Sequence, residues 1–377
     1  MLTPQEICAL ATKAGVSAFT GVPDSTLSNF TDYLVSDPDL SKRCFIAHNE
    51  GGAVAFASGY YLATSQLAMV YMQNSGIGNA VNPIVSLAER EVYGIPIFYI
   101  IGWRGEPDVH DEPQHMYQGK ITLEMLDMLG IMYMVVDSAT TSEDVETEIQ
   151  KRFIPAIAQA QSVALVMKKG AISKAVTLSP ESKYHLSREE AIQIVLNTCE
   201  KTDAVISTTG KSSREVFEYR ESRSEGHAQD FLMVGSMGHA ASLALGISVN
   251  HPEKRIWILD GDGAVIMHMG ALTMVGYYAP SNYVHVVINN EMYESVGLMP
   301  TVSGVIDYCA LAKAAGYTAY FLANDADSLK DALMQIKDSR GPILLEIKTS
   351  YISRKNLGRP TKSPQENKNT FMAFVQR

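Results

Sequence analysis

The chain carries one structural plan twice, and that repeat limits the folds open to it more than any other feature. Thr3, Pro4 and Glu6 open a helix with a capping box, and Ile7, Leu10, Ala11 and Ala14 share its apolar face. Ser187 and Glu190, followed by Ile192, Val195 and Leu196, repeat the move 184 residues later. Each opening leads to a short strand, at residues 17–20 and 204–207, that runs into Gly21-Val22-Pro23-Asp24 or Thr208-Thr209-Gly210-Lys211. Next come His48-Asn49-Glu50-Gly51-Gly52 and Gly235-Ser236-Met237-Gly238-His239, each before a helix of small residues. Two further strands follow in each half. The first pair, 67–72 and 255–259, ends in polar turns; the second, 96–101 and 284–288, is continuously apolar apart from His285. Such runs suit parallel strands buried on both faces. The pattern predicts α/β architecture: two similar doubly wound parallel-sheet domains whose ligands lie beyond the carboxyl ends of the strands. Residues 1–178 form the first domain and 185–377 the second. The polar stretch 179–184 links them, with no middle domain.

Composition narrows the function classes. A length of 377 residues, 46% of them hydrophobic, suits two cores. A net charge of −10, with no basic run, argues against nucleic acid or an anionic membrane as a partner, so an anionic ligand would need local positive charge. Cys8, Cys44, Cys199 and Cys309 are scattered without a Cys-x-x-Cys pair, which predicts neither a zinc site nor a disulfide scaffold and suits a reducing cytoplasm. The N-terminus reads as a folded helix rather than a leader, and no apolar run approaches the roughly 20 residues of a membrane span.

The sharpest chemical signal is Gly261-Asp262-Gly263-Ala264 after an apolar strand, with Asn290 following 28 residues beyond Asp262 at the end of the next strand. Mg²⁺ takes hard oxygen ligands and retains phosphate oxygens. The Asp262 carboxylate, the Asn290 amide oxygen and a backbone carbonyl near Met292 form a candidate ligand set against a diphosphate. Gly261 and Gly263 allow close backbone approach, and amides at Gly263 and Ala264 add anion-binding dipoles at a helix start. The same residues also suit an ordinary loop and turn; strand context and the paired Asn favour the metal.

The Gly261-Asp262-Gly263 motif with Asn290 resembles the thiamine diphosphate binding motif of the 2-oxo acid decarboxylase superfamily. The resemblance implies a pyrimidine-binding first domain, a diphosphate- and Mg²⁺-binding second domain, and cofactor held between two subunits of a homo-oligomer, at least a dimer and open to a trimer or larger. It makes Glu50 the partner of the pyrimidine, Met237 the wedge that bends the cofactor, and the Gly235 carbonyl an acceptor from the pyrimidine amino group. Thr208, Gly210 and Lys211 are then placed to line the diphosphate end. The cofactor's thiazolium absorbs the electron density that decarboxylation leaves on an acyl carbon, which no side chain can do.

Within that superfamily, Gly21-Val22-Pro23-Asp24-Ser25, residues 73–79, residues 102–107, residues 111–115 and Leu357-Gly358-Arg359-Pro360-Thr361 are similar to the phosphonopyruvate decarboxylases. The substrate this implies is a small anionic 2-oxo acid, phosphonopyruvate, which would leave as phosphonoacetaldehyde and CO₂. Arg104, beside His110 and His115, supplies charge-assisted donors for a phosphonate in an otherwise acidic chain. Asp24, at a strand end as a proton relay, and His115 join Glu50 as candidate catalytic residues; Ser25 and Asn74 join Arg104 as candidate substrate residues. At 295–300 the family pattern leads one to expect Ser-Thr-Gly-Gly-Gln, and the chain instead has Leu298 and Met299, an apolar wall; Asn356 stands where Asp is expected. Alternatives are decarboxylation of sulfopyruvate or another 2-oxo acid, a carboligase, or a non-catalytic subunit of the same fold. A nucleotide-binding dehydrogenase is disfavoured because no Gly-x-Gly-x-x-Gly follows an early strand.

Overall fold

The apolar runs pair as parallel strands in two separate sheets. The computed structural model describes residues 1–354 and 356–377, and these divide into two units, Met1–Pro180 with Tyr293–Met299, and Glu181–Met292 with Pro300–Arg377. The first sheet comprises β1 (Val16–Gly21), β2 (Cys44–Ile46), β3 (Leu67–Gln73), β4 (Phe98–Gly102), β5 (Met132–Val136) and β6 (Val163–Met167), in the order β2-β1-β3-β4-β6-β5. The second comprises β7 (Ala204–Ser207), β8 (Asp230–Leu232), β9 (Ile256–Gly261), β10 (Tyr283–Asn289), β13 (Ala319–Ala323) and β14 (Ile343–Lys348), in the order β13-β14-β10-β9-β7-β8. Between β10 and β13 the short strands β11 (Met292–Tyr293) and β12 (Met299–Pro300) form a two-stranded sheet of their own.

Reading the second order from its other end, each strand takes the place of its counterpart in the first. The repeat is therefore topological, and within each sheet the strands named are parallel. β3, β4, β6, β7 and β10 are buried along nearly their whole length, as expected where helices cover both faces of a sheet. His285 interrupts the apolar run of β10 without weakening it, because its ring nitrogens lie 3.1 Å from Tyr317 Oη and 3.4 Å from Asp260 Oδ2, all inside the second unit.

The helix starts differ in one detail. Thr3 and Glu6 form the complete reciprocal capping box before helix Pro4–Lys13. Ser187 accepts from the Glu190 amide at 3.1 Å, but Glu190 does not reach back, and Ser187 lies instead in a parallel bridge to Ser350. No helix among the described residues is long and apolar enough to cross a membrane.

Candidate active site

In each unit the chemistry-bearing residues sit past the carboxyl ends of the first four strands, where a doubly wound sheet opens its crevice. In the first unit Asp24 follows β1 and is fully buried. Its Oδ2 accepts from the Thr26 amide at 2.8 Å and its Oδ1 from Gln73 Nε2 at 2.5 Å, so the ends of β1 and β3 are joined through a carboxylate. A Cβ on Gly102, the last residue of β4, would meet Asp24 Oδ2 at 2.1 Å, so this carboxylate needs a glycine beside it.

Arg104 follows β4. It makes a two-pronged pair with Asp111 at 2.7 and 2.6 Å, and its remaining terminal nitrogen donates to Ser25 Oγ at 2.8 Å. That bonding raises the guanidinium further and holds the Asp111 carboxyl well below the usual carboxylate range. Asn74 donates to the Arg104 carbonyl at 2.9 Å and to Thr122 at 2.8 Å and accepts from the Arg104 amide at 3.1 Å, so its side chain fixes the backbone from which Arg104 projects. His115 is pushed down first by burial and then by Arg104, and its Nδ1 is buried with no hydrogen-bond partner among the described residues. His110 is exposed.

Glu50 follows β2 as the first residue of helix Glu50–Thr64, which Asn49 caps by accepting from the Gly52 amide at 2.7 Å. Its side chain is buried, accepts from Asn79 Nδ2 at 2.8 Å, and is raised in pKa by that burial. Gly76 leaves room for it, since a Cβ there would meet the Glu50 Cγ and Oε1 at 2.5 Å.

In the second unit Asp262 follows β9 and begins helix Asp262–Met267. Burial pushes its carboxyl up to about 6, against the hydroxyl of Thr301 at 2.6 Å and the backbone N–H groups of Gly263 and Asn290. Asn290 follows β10, and its amide oxygen accepts from the Met292 N–H at 2.9 Å. Thr208 follows β7, and its carbonyl accepts from Ser213 Oγ at 2.7 Å; the neighbouring Thr209 hydroxyl accepts from the Gly235 amide at 2.9 Å. Gly235, Ser236 and Gly238 all have positive φ, which folds the turn around half-buried Met237 and sets Gly238 against the Ala264 carbonyl. Gly210 precedes helix Lys211–Arg223, and Lys211 Nζ donates to Ser353 Oγ at 2.8 Å. A Cβ on either Gly210 or Gly261 would meet nothing within 4 Å, so both glycines border open space.

The sequence-predicted residues thus gather into two sets. Ser25, Asn74 and Arg104 form one hydrogen-bonded set, with Asp24 next to Ser25 in the chain, His115 in electrostatic reach of Arg104 and Asp24, and Glu50 on the neighbouring strand end. Thr208, Gly210, Lys211, Gly235, Met237, Gly261, Asp262, Gly263, Ala264, Asn290 and Met292 lie at or just past the carboxyl ends of β7 to β10. Of their partners, Gln73, Asn79 and Asp111 lie in the segments that carry the resemblance but were given no role there, and Thr301 carries no local signal because threonine is common in turns. Leu298 has a φ of 64°, lines a cavity of about 260 Å³ in the first unit with Ser25, Ser28 and Asp32, and is followed by fully buried Met299.

Two family models match the chain: "Thiamine pyrophosphate enzyme, N-terminal TPP binding domain" over residues 4–126 and "Thiamine pyrophosphate enzyme, C-terminal TPP binding domain" over residues 208–347. A phosphonopyruvate decarboxylase from Streptomyces viridochromogenes is 33% identical over 391 residues, covering 100% of this chain and 95% of its own. One from Streptomyces hygroscopicus is 31% identical over 390 residues, covering 100% and 94%. A sulfopyruvate decarboxylase from Methanosarcina acetivorans is 24% identical over 363 residues, covering 90% and 89%.

Proposed function

Because this chain belongs to the thiamine pyrophosphate enzyme family, we propose that it decarboxylates phosphonopyruvate to phosphonoacetaldehyde and CO₂, using thiamine diphosphate and Mg²⁺ at a site built from two copies of the chain. The observation that carries the substrate is Arg104: in a chain of net charge −10 it stands at a strand end with Asp111 fixing one edge of the guanidinium and Ser25 Oγ on the other. Full-length similarity to two phosphonopyruvate decarboxylases supports the same choice.

The residues fit the cofactor. Gly210 and Gly261 border open space, and Lys211 with the helix-start amides of Gly263 and Ala264 supplies the charge and dipoles that suit a diphosphate. Asp262, the Asn290 amide oxygen and the Met292 carbonyl are the hard oxygens for Mg²⁺. They are one carboxylate among neutral oxygens. Gly235 and Met237 would hold the middle of the cofactor. When bound, thiamine diphosphate supplies the electron sink that takes up the pair released as CO₂ leaves.

The side chains supply proton control and orientation. Glu50, whose carboxyl is raised by burial, would be the group that exchanges a proton with the pyrimidine; Asn79 fixes one of its oxygens. Arg104 with Ser25 binds the phosphonate, and Asn74 sets the backbone of Arg104. Asp24, buried and held by Gln73, would deliver the proton that replaces the lost carboxylate, with His115 alongside.

Sulfopyruvate is the second reading, favoured by the Methanosarcina relative; the apolar Leu298-Met299 pair departs from the phosphonopyruvate pattern without selecting either anion. The test is CO₂ release from phosphonopyruvate, sulfopyruvate and pyruvate, with thiamine diphosphate and Mg²⁺ each omitted in turn. Phosphonopyruvate is expected to give the highest kcat/KM and to need both additions. A higher value for sulfopyruvate transfers the assignment to it, and no release from any acid overturns decarboxylation.

A further inference from the structure

Beyond the residues that would touch Mg²⁺, a hydrogen-bonded chain runs behind them, and it starts at a threonine that no motif singles out. Thr301 lies 39 residues after Asp262, yet its hydroxyl reaches Asp262 Oδ2 at 2.6 Å, and both groups are buried. The same Oγ1 accepts from the Ser303 amide at 3.2 Å, capping the short helix Val302–Val305. A hydroxyl has one proton to donate. With the Ser303 amide on its acceptor side, that proton is directed at the carboxylate.

The chain continues inward. Ser303 Oγ donates to Asn289 Oδ1 at 3.1 Å, and Asn289 Nδ2 donates to Glu346 Oε1 at 2.8 Å. Glu346 is buried and anchored by Lys348 at 2.8 Å and by the Tyr320 hydroxyl at 2.6 Å. Asn289 Oδ1 also accepts from the Glu291 amide at 3.2 Å, and the Thr301 amide donates to the Glu291 carbonyl at 2.9 Å. The two segments that would hold the metal, Asp262 and the Asn290 to Met292 turn, are thereby tied into one buried network with Thr301 as the link.

We propose that Thr301 is a positioning residue for the metal, orienting the Asp262 carboxylate and coupling it through Ser303 and Asn289 to the Asn290 turn. This rests on the assignment of Asp262 to Mg²⁺. A cap alone would need only the acceptor side of the hydroxyl; the short donated bond to a buried carboxylate is what a cap does not require. Partners that orient a metal ligand are worth about 10- to 100-fold in metal affinity.

The experiment titrates Mg²⁺ into the full-length protein with thiamine diphosphate present and reads cofactor binding by calorimetry, without substrate. Wild type is compared with Thr301→Ser, Thr301→Val, Thr301→Ala and Asp262→Asn, and the melting temperature of each is measured without metal. Thr301→Val and Thr301→Ala are expected to raise the Mg²⁺ concentration for half-maximal binding by about 10- to 100-fold, with Thr301→Ser within a few-fold of wild type. Two hydroxyl-free variants guard against one failing to fold. Unchanged Mg²⁺ dependence in either folded variant overturns the proposal, as does a Ser variant as impaired as they are. If Asp262→Asn binds cofactor with the Mg²⁺ dependence of wild type, the metal assignment itself falls, and the role of Thr301 with it.

Discussion

A carboxylate removed from water keeps its proton, finds donors, or does both, and two carboxylates of the first unit differ in this. Glu50 has Asn79 and a raised pKa, whereas Asp32, on helix Ser28–Ser36, has an Oδ1 with no partner among the described residues. Glu50→Gln preserves an oxygen for Asn79 and removes the exchangeable proton. It is expected to lower kcat by roughly 10²- to 10⁴-fold while cofactor and Mg²⁺ affinity, read by calorimetry, stay near wild type; unchanged kcat would refute the role. Asp32 is pushed by burial from the ordinary 3.8 up to about 7, with Lys174 opposing. Its folded pKa is raised, so the stability it contributes as an acid is complete below about pH 4 and is lost as the pH rises to about 7. Asp32→Asn should therefore melt with wild type at pH 4 and above it at pH 8, and equal melting at both would contradict the burial of that charge. Glu50 was singled out in the sequence because its place before a small-residue helix matches the pattern of the family the chain resembles. Asp32 was not, because an aspartate on a helix looks the same in sequence whether or not a neighbouring segment covers it.

At the scale of elements, what could be read in advance followed burial. The central strands β1, β3, β4, β7, β9 and β10 are covered by helices, so their composition announces them; β14 is as buried but its apolar run is broken by Glu346, and it was not read. The strands β2 and β8 have three residues each, and β5 and β13 are mostly half-buried, so none carries a run or an alternation strong enough to register. The excursion from β11 to β12 was equally silent, since two-residue strands leave no period. Strand ends also fix side chains whose partners are distant in sequence. Asp24 is held between Gln73 on β3 and the bare backbone of Gly102 on β4. Gly102→Ala would place a methyl 2.1 Å from Asp24 Oδ2, so the carboxylate must move. Since a displacement near 1 Å can cost about 10²-fold in rate, kcat/KM should fall by about that factor while circular dichroism shows an intact fold. Activity within twofold of wild type would mean that Asp24 can shift freely and is no proton donor.

At the scale of the molecule, the doubled plan raises the question of how many chains make one site. Each unit has the same strand order and presents residues at equivalent strand ends, yet the proposed roles of the two sets differ: Glu50, Asp24 and Arg104 would manage protons and an anion, Asp262, Asn290 and the glycines a metal and a diphosphate. On the proposed function neither set would suffice alone, and in a homo-oligomer the first set of one subunit would serve the second set of its partner. Two inactive variants make that testable. In Glu50→Gln every first set is damaged, and in Asp262→Ala every second set. If sites are shared between subunits of a dimer, co-expression yields mixed dimers with one site damaged twice and the other intact. Random pairing makes half of the dimers mixed, so about a quarter of wild-type activity should return. If each chain builds its own site, every site in the mixture carries one lesion, and activity should stay at the level of the separate variants whatever their ratio.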